Sequence, residues 1–443
     1  MDPRICIIGA GISGLSTGYQ LIKSGLKPIL FEKESFVGGR MSSENVEDFI
    51  IDKGAYTIPE FHKTTLQMIK ELGMEDALEQ TTGTSSTFCK GKEYPIKIGS
   101  SVDFLKYKLL SIKNKKDMVK LFLYATSLGK SLNLNHPSEK TFELEKESAA
   151  EFLLKEYDGE ILEYIAYPIF CEIFLGTPEN NSKAAFLATL RNLTNFKIFS
   201  LHQGLGMLPV QLMKNMDVRL NTPVLQVQQM GDQGPYQIDI ANDTQKSFVF
   251  DVVIFGIPSP IVLEIFKNLP MRLRESLQGV HYAPSIVTAF AFDQPYPHTS
   301  LINNLLRKDF QVLGTTVFDH HKGSSHVPPG KGLMTAILSE NGSRNFFDKG
   351  DGCIKEQILK EIELLFPDFS KRVIFSRTYR WKYGAVQLKP GVLYQKRLAQ
   401  KALEDYSQNL FFVSDSLSRS SIEVQINAGI QAANQITKRW RTE

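Results

Sequence analysis

The stretch RICIIGAGISG, residues 4–14, decides the fold of this chain. The β-branched run at residues 4–8 predicts a strand, and Gly9, Gly11 and Gly14 follow it with the spacing G-x-G-x-x-G. In such a motif the first glycine permits a tight turn, the second lets a pyrophosphate approach the backbone, and the third allows close packing of helix on strand. The stretch therefore predicts a dinucleotide-binding strand, turn and helix.

The residues after this motif fit the same interpretation. Residues 15–24 have helical spacing, and residues 28–31 return to strand character just before Glu32. Glu32 stands 18 residues after Gly14, where a carboxylate can accept hydrogen bonds from ribose hydroxyls. A glycine motif alone is a weak signal, but this context favours a dinucleotide site over a structural glycine turn.

A second glycine turn lies just beyond the acidic strand, at Gly38, Gly39 and Arg40. A cation beside such a turn could contact more of a long, buried dinucleotide. Together with DKGA at residues 52–55, the run from residue 5 to residue 40 resembles the superfamily of amine oxidases, protoporphyrinogen oxidases and phytoene desaturases. In that superfamily these segments bind FAD, so the resemblance implies FAD as the cofactor.

The resemblance continues along the chain and adds further cofactor positions. It implies that the backbone of Val224 meets the adenine, that Asp415 accepts from a ribityl hydroxyl, and that the helix beginning near Gln425 faces the flavin's pyrimidine end. Ser414 and Val424 stand where the family usually has glycine, which adds bulk close to the expected cofactor. The complete set of predicted cofactor-binding residues is Gly9, Gly11, Ser13, Gly14, Glu32, Lys33, Gly38, Gly39, Arg40, Gly54, Ala55, Val224, Asp415 and Gln425.

The chain alternates between two kinds of pattern, which predicts two interleaved domains. Residues 101–195 are mainly helical in pattern, and strand patterns resume after residue 218. We expect an α/β fold in which a Rossmann-like FAD-binding domain is interleaved with an α+β substrate domain that contains a helical insertion. The predicted boundaries are 1–75, 201–262 and 396–443 for the FAD-binding domain, with 76–200, mainly helical, and 263–395, strand-rich, for the substrate domain.

One position indicates the kind of substrate. Amine oxidases of the superfamily often place a lysine near flavin N5, and alignment of residues 287–296 puts Val287 there. The resemblance is therefore nearer to the protoporphyrinogen-oxidase-like branch, in which hydride equivalents leave a bulky, mostly apolar substrate. Trp381, in a segment that also resembles this branch, is a candidate for the substrate pocket, although a core aromatic fits equally. No catalytic side chain is assigned, because a flavin requires few.

Three alternatives remain open on the sequence. They are a flavin-dependent amine oxidase, a redox-neutral flavin isomerase or mutase, and a non-catalytic flavoprotein. The expected partners are a small-molecule substrate and an electron acceptor, either oxygen or another molecule; the sequence indicates no oligomeric state.

Composition indicates which partners and which cellular location to expect. The chain has 443 residues, with 51 lysines and arginines against 48 acids, so the excess of +3 does not suggest a nucleic-acid partner. Its four cysteines are widely spaced, as in proteins of a reducing compartment, and we expect free thiols and a cytoplasmic location. The apolar residues 5–15 fit a buried strand better than a signal peptide, and no run of about 18 apolar residues suggests a spanning helix.

Two further segments suggest partners less strongly. The run Asp319-His320-His321 could hold a metal, but its glycine- and serine-rich flank favours a solvated loop, and we predict no metal. A group of lysines precedes the apolar residues 121–124 and could touch an acidic membrane surface, although a solvated helix face is favoured. These lysines are Lys106, Lys108, Lys113, Lys115, Lys116 and Lys120.

Overall fold

A computed structural model describes residues 2–194, 196–231, 235–241, 246–323 and 325–441, which form a mixed α/β fold. The strands are β1 Ile5–Ile8, β2 Pro28–Phe31, β3 Ser43–Val46, β4 Phe49–Asp52, β5 Ile58–Pro59, β6 Leu78–Gln80, β7 Thr84–Cys89, β8 Lys92–Lys97, β9 Ile198–Leu201, β10 Asp217–Arg219, β11 Val224–Gln229, β12 Tyr236–Ile240, β13 Lys246–Phe250, β14 Val252–Phe255, β15 Tyr282–Phe292, β16 Ile302–Leu305, β17 Leu313–Phe318, β18 Gly332–Leu338, β19 Val373–Val386 and β20 Leu410–Phe412.

The α-helices are α1 Ile12–Lys23, α2 Lys63–Glu71, α3 Ser101–Lys106, α4 Ile112–Ser127, α5 Glu139–Leu144, α6 Ala149–Glu156, α7 Gly159–Ile161, α8 Tyr167–Phe174, α9 Lys183–Arg191, α10 Met207–Met213, α11 Ser259–Ile265, α12 Met271–Gln278, α13 Glu340–Phe346, α14 Asp351–Ile362, α15 Phe369–Arg372, α16 Val392–Tyr406 and α17 Ile422–Arg441. Short 3-10 turns lie at Gly39–Met41, Glu75–Ala77, Gly129–Ser131 and Asp319–His321, and a π-helical turn lies at Leu162–Ala166.

A parallel sheet in the order β10-β2-β1-β14-β20 brings together parts of the chain that are distant in sequence. Its central strands β1 and β14 are apolar and buried along their whole length, as expected when helices cover both faces of a sheet. Helix α17 packs on α1, and Gly429 permits this approach because a Cβ there would lie 2.7 Å from Oγ of Ser16.

A larger sheet in the order β19-β15-β18-β17-β16-β7-β8 forms the second layer. Its neighbouring strands are antiparallel except for the pair β16 and β7. One face buries aromatic side chains, among them Phe290, Phe318 and Phe369, under α14. In register, Val287 on β15 stands between Ile337 on β18 and Tyr379 on β19.

Helices α3–α9 form the predicted helical region around their own apolar core. Leu121, Leu153, Phe170 and Phe186 are buried there. Ser148 caps α6 through a reciprocal hydrogen-bond pair with Glu151, which fixes where this helix begins. The predicted α/β fold is confirmed; the domain boundaries stay predictions.

The helices and the cysteines each bear on an expectation drawn from composition. Within the described ranges no helix has both the length and the apolar character needed to cross a membrane. Cys6, Cys89, Cys171 and Cys353 are all free thiols, and the first three are buried.

Candidate active site

A cavity of about 1490 Å³ connects the turn after β1 with the helical region. One part of its wall contains glycines and polar groups of the parallel sheet, including Gly11 and Glu32. Another part is apolar and comes from the helical region, including Phe122 on α4, Ile169 on α8 and Leu193 just after α9. The cavity therefore joins the predicted dinucleotide cradle to a chamber suited to an apolar ligand.

The glycine motif forms this cradle through three different constraints. Gly9 has a φ of +100°, and a Cβ on Gly14 would lie 2.1 Å from the carbonyl oxygen of Gly9. A Cβ on Gly11, by contrast, would have only the Gly256 oxygen within 4 Å, at 3.9 Å, so it would occupy open cavity space. Helix α1 begins at Ile12 without a side-chain cap, which leaves its first N–H groups available to a phosphate.

Glu32 is fixed at the edge of the cradle by backbone donors. The Ala10 N–H donates to Oε2 at 2.7 Å and the Glu34 N–H donates to Oε1 at 2.9 Å. Burial raises the pKa of this carboxyl above its usual value, although both N–H groups oppose the shift. Glu32 and its neighbour Lys33 both line the cavity, where the Glu32 carboxylate can meet ribose hydroxyls.

The second glycine turn continues the cradle. Gly38 has a φ of +96°, and its N–H donates to the Ala10 carbonyl at 2.8 Å. Gly54 packs so closely that a Cβ there would lie 2.4 Å from the Arg40 carbonyl. The predicted positions whose atoms line the cavity are Gly9, Gly11, Ser13, Glu32, Lys33, Gly38, Gly39, Arg40, Gly54, Ala55, Val224 and Gln425. These residues fit a long, extended dinucleotide.

Asp415, for which the resemblance implies a contact with a ribityl hydroxyl, pairs with Arg40 in the structure. It is fully buried and lies outside the cavity wall, and its Oδ1 accepts from the Tyr282 hydroxyl at 3.0 Å. Its Oδ2 accepts from Nη1 of Arg40 at 2.7 Å and from Ser420 at 2.6 Å. Both oxygens therefore have partners within the protein. The ion pair with Arg40 supplies the counter-ion that the partly buried guanidinium requires. Asp415 orients Arg40, and its contact with a ribityl hydroxyl stays a prediction.

The two departures from the family's glycines affect the cavity unequally. Ser414 lines the cavity, but its hydroxyl is engaged with Oγ of Ser416 at 2.8 Å. Val424 is buried and is absent from the described cavity wall, so its bulk does not enter the cavity. Gln425 does line it, and its amide Nε2 donates to the Arg419 carbonyl at 3.0 Å.

Val287 and Trp381 both lie on the cavity wall. Val287 packs with Ile302 and Ile337, so the position that resembles the family's lysine site is apolar here in its surroundings as well. The Trp381 indole donates from Nε1 to the Lys53 carbonyl at 2.7 Å. This hydrogen bond anchors the indole ring to the segment that leads into Gly54. Trp381 therefore lines the cavity and also helps to hold that segment in place.

Sequence reasoning missed a polar pair in the cavity wall. The hydroxyl of Tyr56 donates to Oε1 of Glu172 at 3.2 Å, and both residues line the cavity. Burial raises the pKa of Glu172 to about 7, and the Tyr56 hydrogen bond partly opposes the shift. The available signal was local, since Glu172 is the single acid in the otherwise uncharged helix α8, YPIFCEIF.

The solvated loop predicted at Asp319-His320-His321 is wrong. These residues form a 3-10 turn, and Asp319 is fully buried. The reason is Lys322, whose ammonium is also buried and pairs with Asp52 at 2.8 Å and Asp319 at 2.5 Å. Among the described residues no group of three or more histidines, cysteines or acids is arranged to hold a metal ion.

The model of the family described as flavin containing amine oxidoreductase matches residues 12–437. The chain belongs to this family. The mitochondrial protoporphyrinogen oxidase of Nicotiana tabacum is 27% identical over 191 residues, which cover 43% of this chain and 36% of that enzyme. An L-amino acid oxidase of Cerastes cerastes is 21% identical across 98% of this chain and 87% of its own length. The tobacco match thus spans about a third of the relative.

Solved structures show the same fold for this flavin-containing amine oxidoreductase. Cyclohexylamine oxidase from Brevibacterium oxydans IH-35A has a TM-score of 0.77 and 15% identity, with 100% of both chains covered. Putrescine oxidase bound to putrescine has a TM-score of 0.79 and 16% identity, with 98% of this chain and 99% of that chain covered.

Family membership confirms the predicted family, the FAD cofactor and the class of FAD-dependent oxidoreductase. The relatives include both protoporphyrinogen oxidases and amino-acid or amine oxidases. Family membership alone therefore does not decide the substrate.

Proposed function

We propose that this flavin-containing amine oxidoreductase removes hydride equivalents from a bulky, mostly apolar small molecule and passes the electrons to oxygen or another acceptor. The observation that carries this proposal is the continuity between the glycine cradle and the apolar chamber of the helical region. A substrate held in that chamber can reach a cofactor held in the cradle without leaving the protein.

The chain's own residues supply binding and orientation. The first turn of α1 and the backbone at Gly11 would hold the pyrophosphate, and Glu32 would accept from the adenine ribose. Arg40, positioned by Asp415, would add positive charge to the same wall. When bound, FAD supplies a hydride acceptor at N5.

The chamber favours substrates that have a large apolar surface. Phe122, Ile169 and Leu193 offer hydrocarbon contact. Val287, at the position that resembles the family's lysine site, is apolar as well. Burying apolar ligand surface here contributes about 25 cal/mol per Å². Such a site favours a porphyrinogen-like or polyene-like substrate over a small primary amine.

The second candidate is oxidation of an amine. It is favoured by the Cerastes cerastes L-amino acid oxidase, whose match covers almost all of this chain. A redox-neutral isomerase and a non-catalytic flavoprotein would share the cradle and differ only in what happens to the flavin.

The deciding experiment is anaerobic mixing of the FAD-loaded protein with a porphyrinogen, a polyene and simple primary amines, while the flavin absorbance is followed. We expect lasting bleaching by a bulky apolar donor. Bleaching by simple amines alone would establish the second candidate. Turnover without lasting bleaching indicates an isomerase, and a flavin that no donor changes indicates a non-catalytic protein.

We further propose that the surface of α3 and α4 contacts an acidic lipid surface, from which an apolar substrate can enter. The outward face of α4 carries Ile112, Val119 and Leu123, and Ile112 and Leu123 are 75% and 61% exposed. Lys116 and Lys120 lie on the same face at helical spacing and are exposed.

One observation connects this surface with the cavity. Leu105, on α3, and Val119 and Leu123, on α4, are exposed to solvent and also line the cavity. Exposed apolar side chains surrounded by lysines are the pattern expected of a helix that binds anionic lipid. This arrangement supports a lipid contact over the solvated helix face that the sequence favoured. The location of the protein in the cytoplasm, peripheral to a membrane, remains part of this proposal.

A further inference from the structure

Glu172, in the helical wall of the cavity, has no counter-ion among the residues that the structure describes. Glu172 lies on α8, and Oε1 accepts the single hydrogen bond from Tyr56. Among the described residues no ion pair involves Glu172, and no protein donor lies within hydrogen-bond distance of Oε2. One carboxylate oxygen therefore faces the cavity without a partner.

Tyr56, the partner of Glu172, is set in an apolar part of the wall. Tyr56 packs in a cluster with Val287, Ile302 and Ile337, and all four line the cavity beside Glu172. An unpaired carboxylate in such a wall is unfavourable, and a ligand that donates a hydrogen bond to it removes that cost. A site built to pair with a donor rejects analogues that lack the donor more strongly than an apolar wall rejects a change of size.

We propose that Glu172, held by Tyr56, recognises a nitrogen-bound hydrogen on an otherwise apolar substrate. This inference rests on the proposed function, since it places the substrate in the same chamber. The recognised group is an N–H donor, which a protonated amine and a neutral ring N–H both provide. Glu172 binds the donor and is a specificity-determining residue; Tyr56 is a positioning residue.

Few titratable side chains lie on the elements that pack against Glu172. Strands β16 and β17, which pack on α8, contain no titratable side chain in INNL and LGTTVF. The preceding π-helical turn carries Glu163, which pairs with Arg307, and Tyr164. On α8 itself Cys171 is adjacent, and burial keeps it protonated by raising its pKa to about 12.

On the other side of Tyr56 lie the buried Lys322 and its two acids. The Lys322 ammonium lies 5.5 Å from the centre of the Tyr56 ring and pairs with both Asp52 and Asp319.

The test uses the FAD-loaded protein and two matched pairs of probes. The first pair is 4-phenylbutylamine and pentylbenzene, which differ by an ammonium in place of a methyl group. The second is indole and indene, which differ by a neutral N–H. Dissociation constants come from the change in flavin absorbance under anaerobic conditions, for the wild type, Glu172→Gln and Glu172→Leu.

We expect Glu172→Leu to weaken binding of both nitrogen probes by roughly 10- to 100-fold and to leave the hydrocarbons unchanged. Glu172→Gln retains a neutral acceptor. If the natural donor is a neutral N–H, Glu172→Gln should bind indole within about threefold of the wild type; if it is an ammonium, the wild type prefers 4-phenylbutylamine and Glu172→Gln loses that preference. Unchanged binding of both nitrogen probes by Glu172→Leu would overturn the inference.

A pH series separates recognition from a merely structural role. In the wild type, affinity for 4-phenylbutylamine should rise as the pH increases through about 7, because Glu172 becomes ionised. Tyr56→Phe removes a hydrogen bond to the carboxylate, so the midpoint should move to higher pH. A profile that Glu172→Gln leaves intact contradicts the proposal.

The same samples distinguish the two levels of proposal. Loss of FAD, or a flavin that no donor reduces, would be a failure of the proposed function. Normal FAD content and reduction, with probe binding insensitive to Glu172, would be a failure of this inference alone. Thermal melts of Glu172→Gln, which is nearly isosteric with the wild type, show whether any loss reflects misfolding.

Discussion

Arg40 and Asp415 form an ion pair with an Nη1 to Oδ2 distance of 2.7 Å although they lie 375 positions apart in the chain. Asp415 is fully buried, whereas 31% of the Arg40 side chain is exposed, towards the cavity. Burial is the largest single influence and raises the pKa of Asp415, but the Arg40 charge, the hydrogen bonds from Arg40 and Ser420 and the Lys396 charge together hold that pKa below its usual value. The pair thus fixes a cation in the cofactor cradle.

Asp415→Asn should destabilise the protein and weaken FAD retention. Removing one partner leaves the Arg40 charge uncompensated, and we expect the free energy of unfolding to fall by about 2–4 kcal/mol at pH 7. Since the native pKa is lowered, this stabilisation is complete above the unfolded pKa of about 3.9 and is lost as the pH falls through the native value. Urea unfolding of the FAD-free proteins should therefore show a gap between variant and wild type that narrows in acid.

Asp251→Asn is the matched control for this experiment. Asp251 pairs with Arg4 at 3.0 Å on the surface, where the Arg4 side chain is 57% exposed. Its loss should cost no more than about 1 kcal/mol. Equal costs for the two variants would show that the Arg40 pair has no special role.

Gly11→Val should abolish FAD retention without unfolding the chain. A side chain at Gly11 points into open cavity space, where the pyrophosphate would lie, and contacts no other part of the protein closely. FAD released per mole of protein and thermal melts against FAD-free wild type provide the measurement. Normal FAD content in this variant would place the cofactor elsewhere.

Gly14→Val provides the contrast within the same motif. Its Cβ would lie 2.1 Å from the Gly9 carbonyl oxygen, so this variant should lose about 1–3 kcal/mol or more of stability as well as FAD. A stable, FAD-free Gly14→Val would contradict the packing argument.

Local motifs could be predicted from the sequence, whereas pairings between distant residues could not. The glycine cradle and Glu32 lie within one βαβ unit, so spacing and residue type define them. The Arg40–Asp415 pair, the Lys322–Asp52 pair and the Tyr56–Glu172 pair join residues 375, 270 and 116 positions apart. No local pattern states such a partner, so the Arg40–Asp415 pair was not predicted and the segment before Lys322 was expected to be solvated.

Ile169→Trp should impair a bulky substrate and leave FAD binding unchanged. Ile169 lines the chamber and packs on the helical core, so added volume reduces the space available to a ligand. We expect KM for a bulky apolar donor to rise by roughly tenfold, corresponding to the 1–3 kcal/mol typical of overpacking. Leu154→Trp, at a helical position that is 59% exposed and outside the described cavity wall, is the control and should have no effect. An unchanged KM in Ile169→Trp would place the substrate outside the chamber.

Leu123→Glu should weaken binding to anionic vesicles by about fivefold or more. The substitution replaces an exposed apolar side chain on α4 with a charge of the same sign as the lipid. Lys116→Glu should act in the same direction, since each lysine near such a surface contributes about 1 kcal/mol. Co-sedimentation with phosphatidylserine and phosphatidylcholine vesicles provides the measurement, and Leu154→Glu is the control. Equal binding of the wild type to both lipids would contradict the charge argument.

Lys322→Met should be among the most destabilising substitutions in the chain. The buried ammonium pairs with both Asp52 and Asp319, and its removal leaves two buried carboxylates without a cation, which should cost about 3–5 kcal/mol. The triple variant that adds Asp52→Asn and Asp319→Asn should recover much of this loss, because neutral amides need no counter-ion. An amide oxygen at position 52 can still accept from the Leu205 N–H, which donates to Oδ1 at 2.9 Å. Urea unfolding of the single and triple variants measures the difference; a triple variant no more stable than Lys322→Met would show that packing, and not charge, explains the effect.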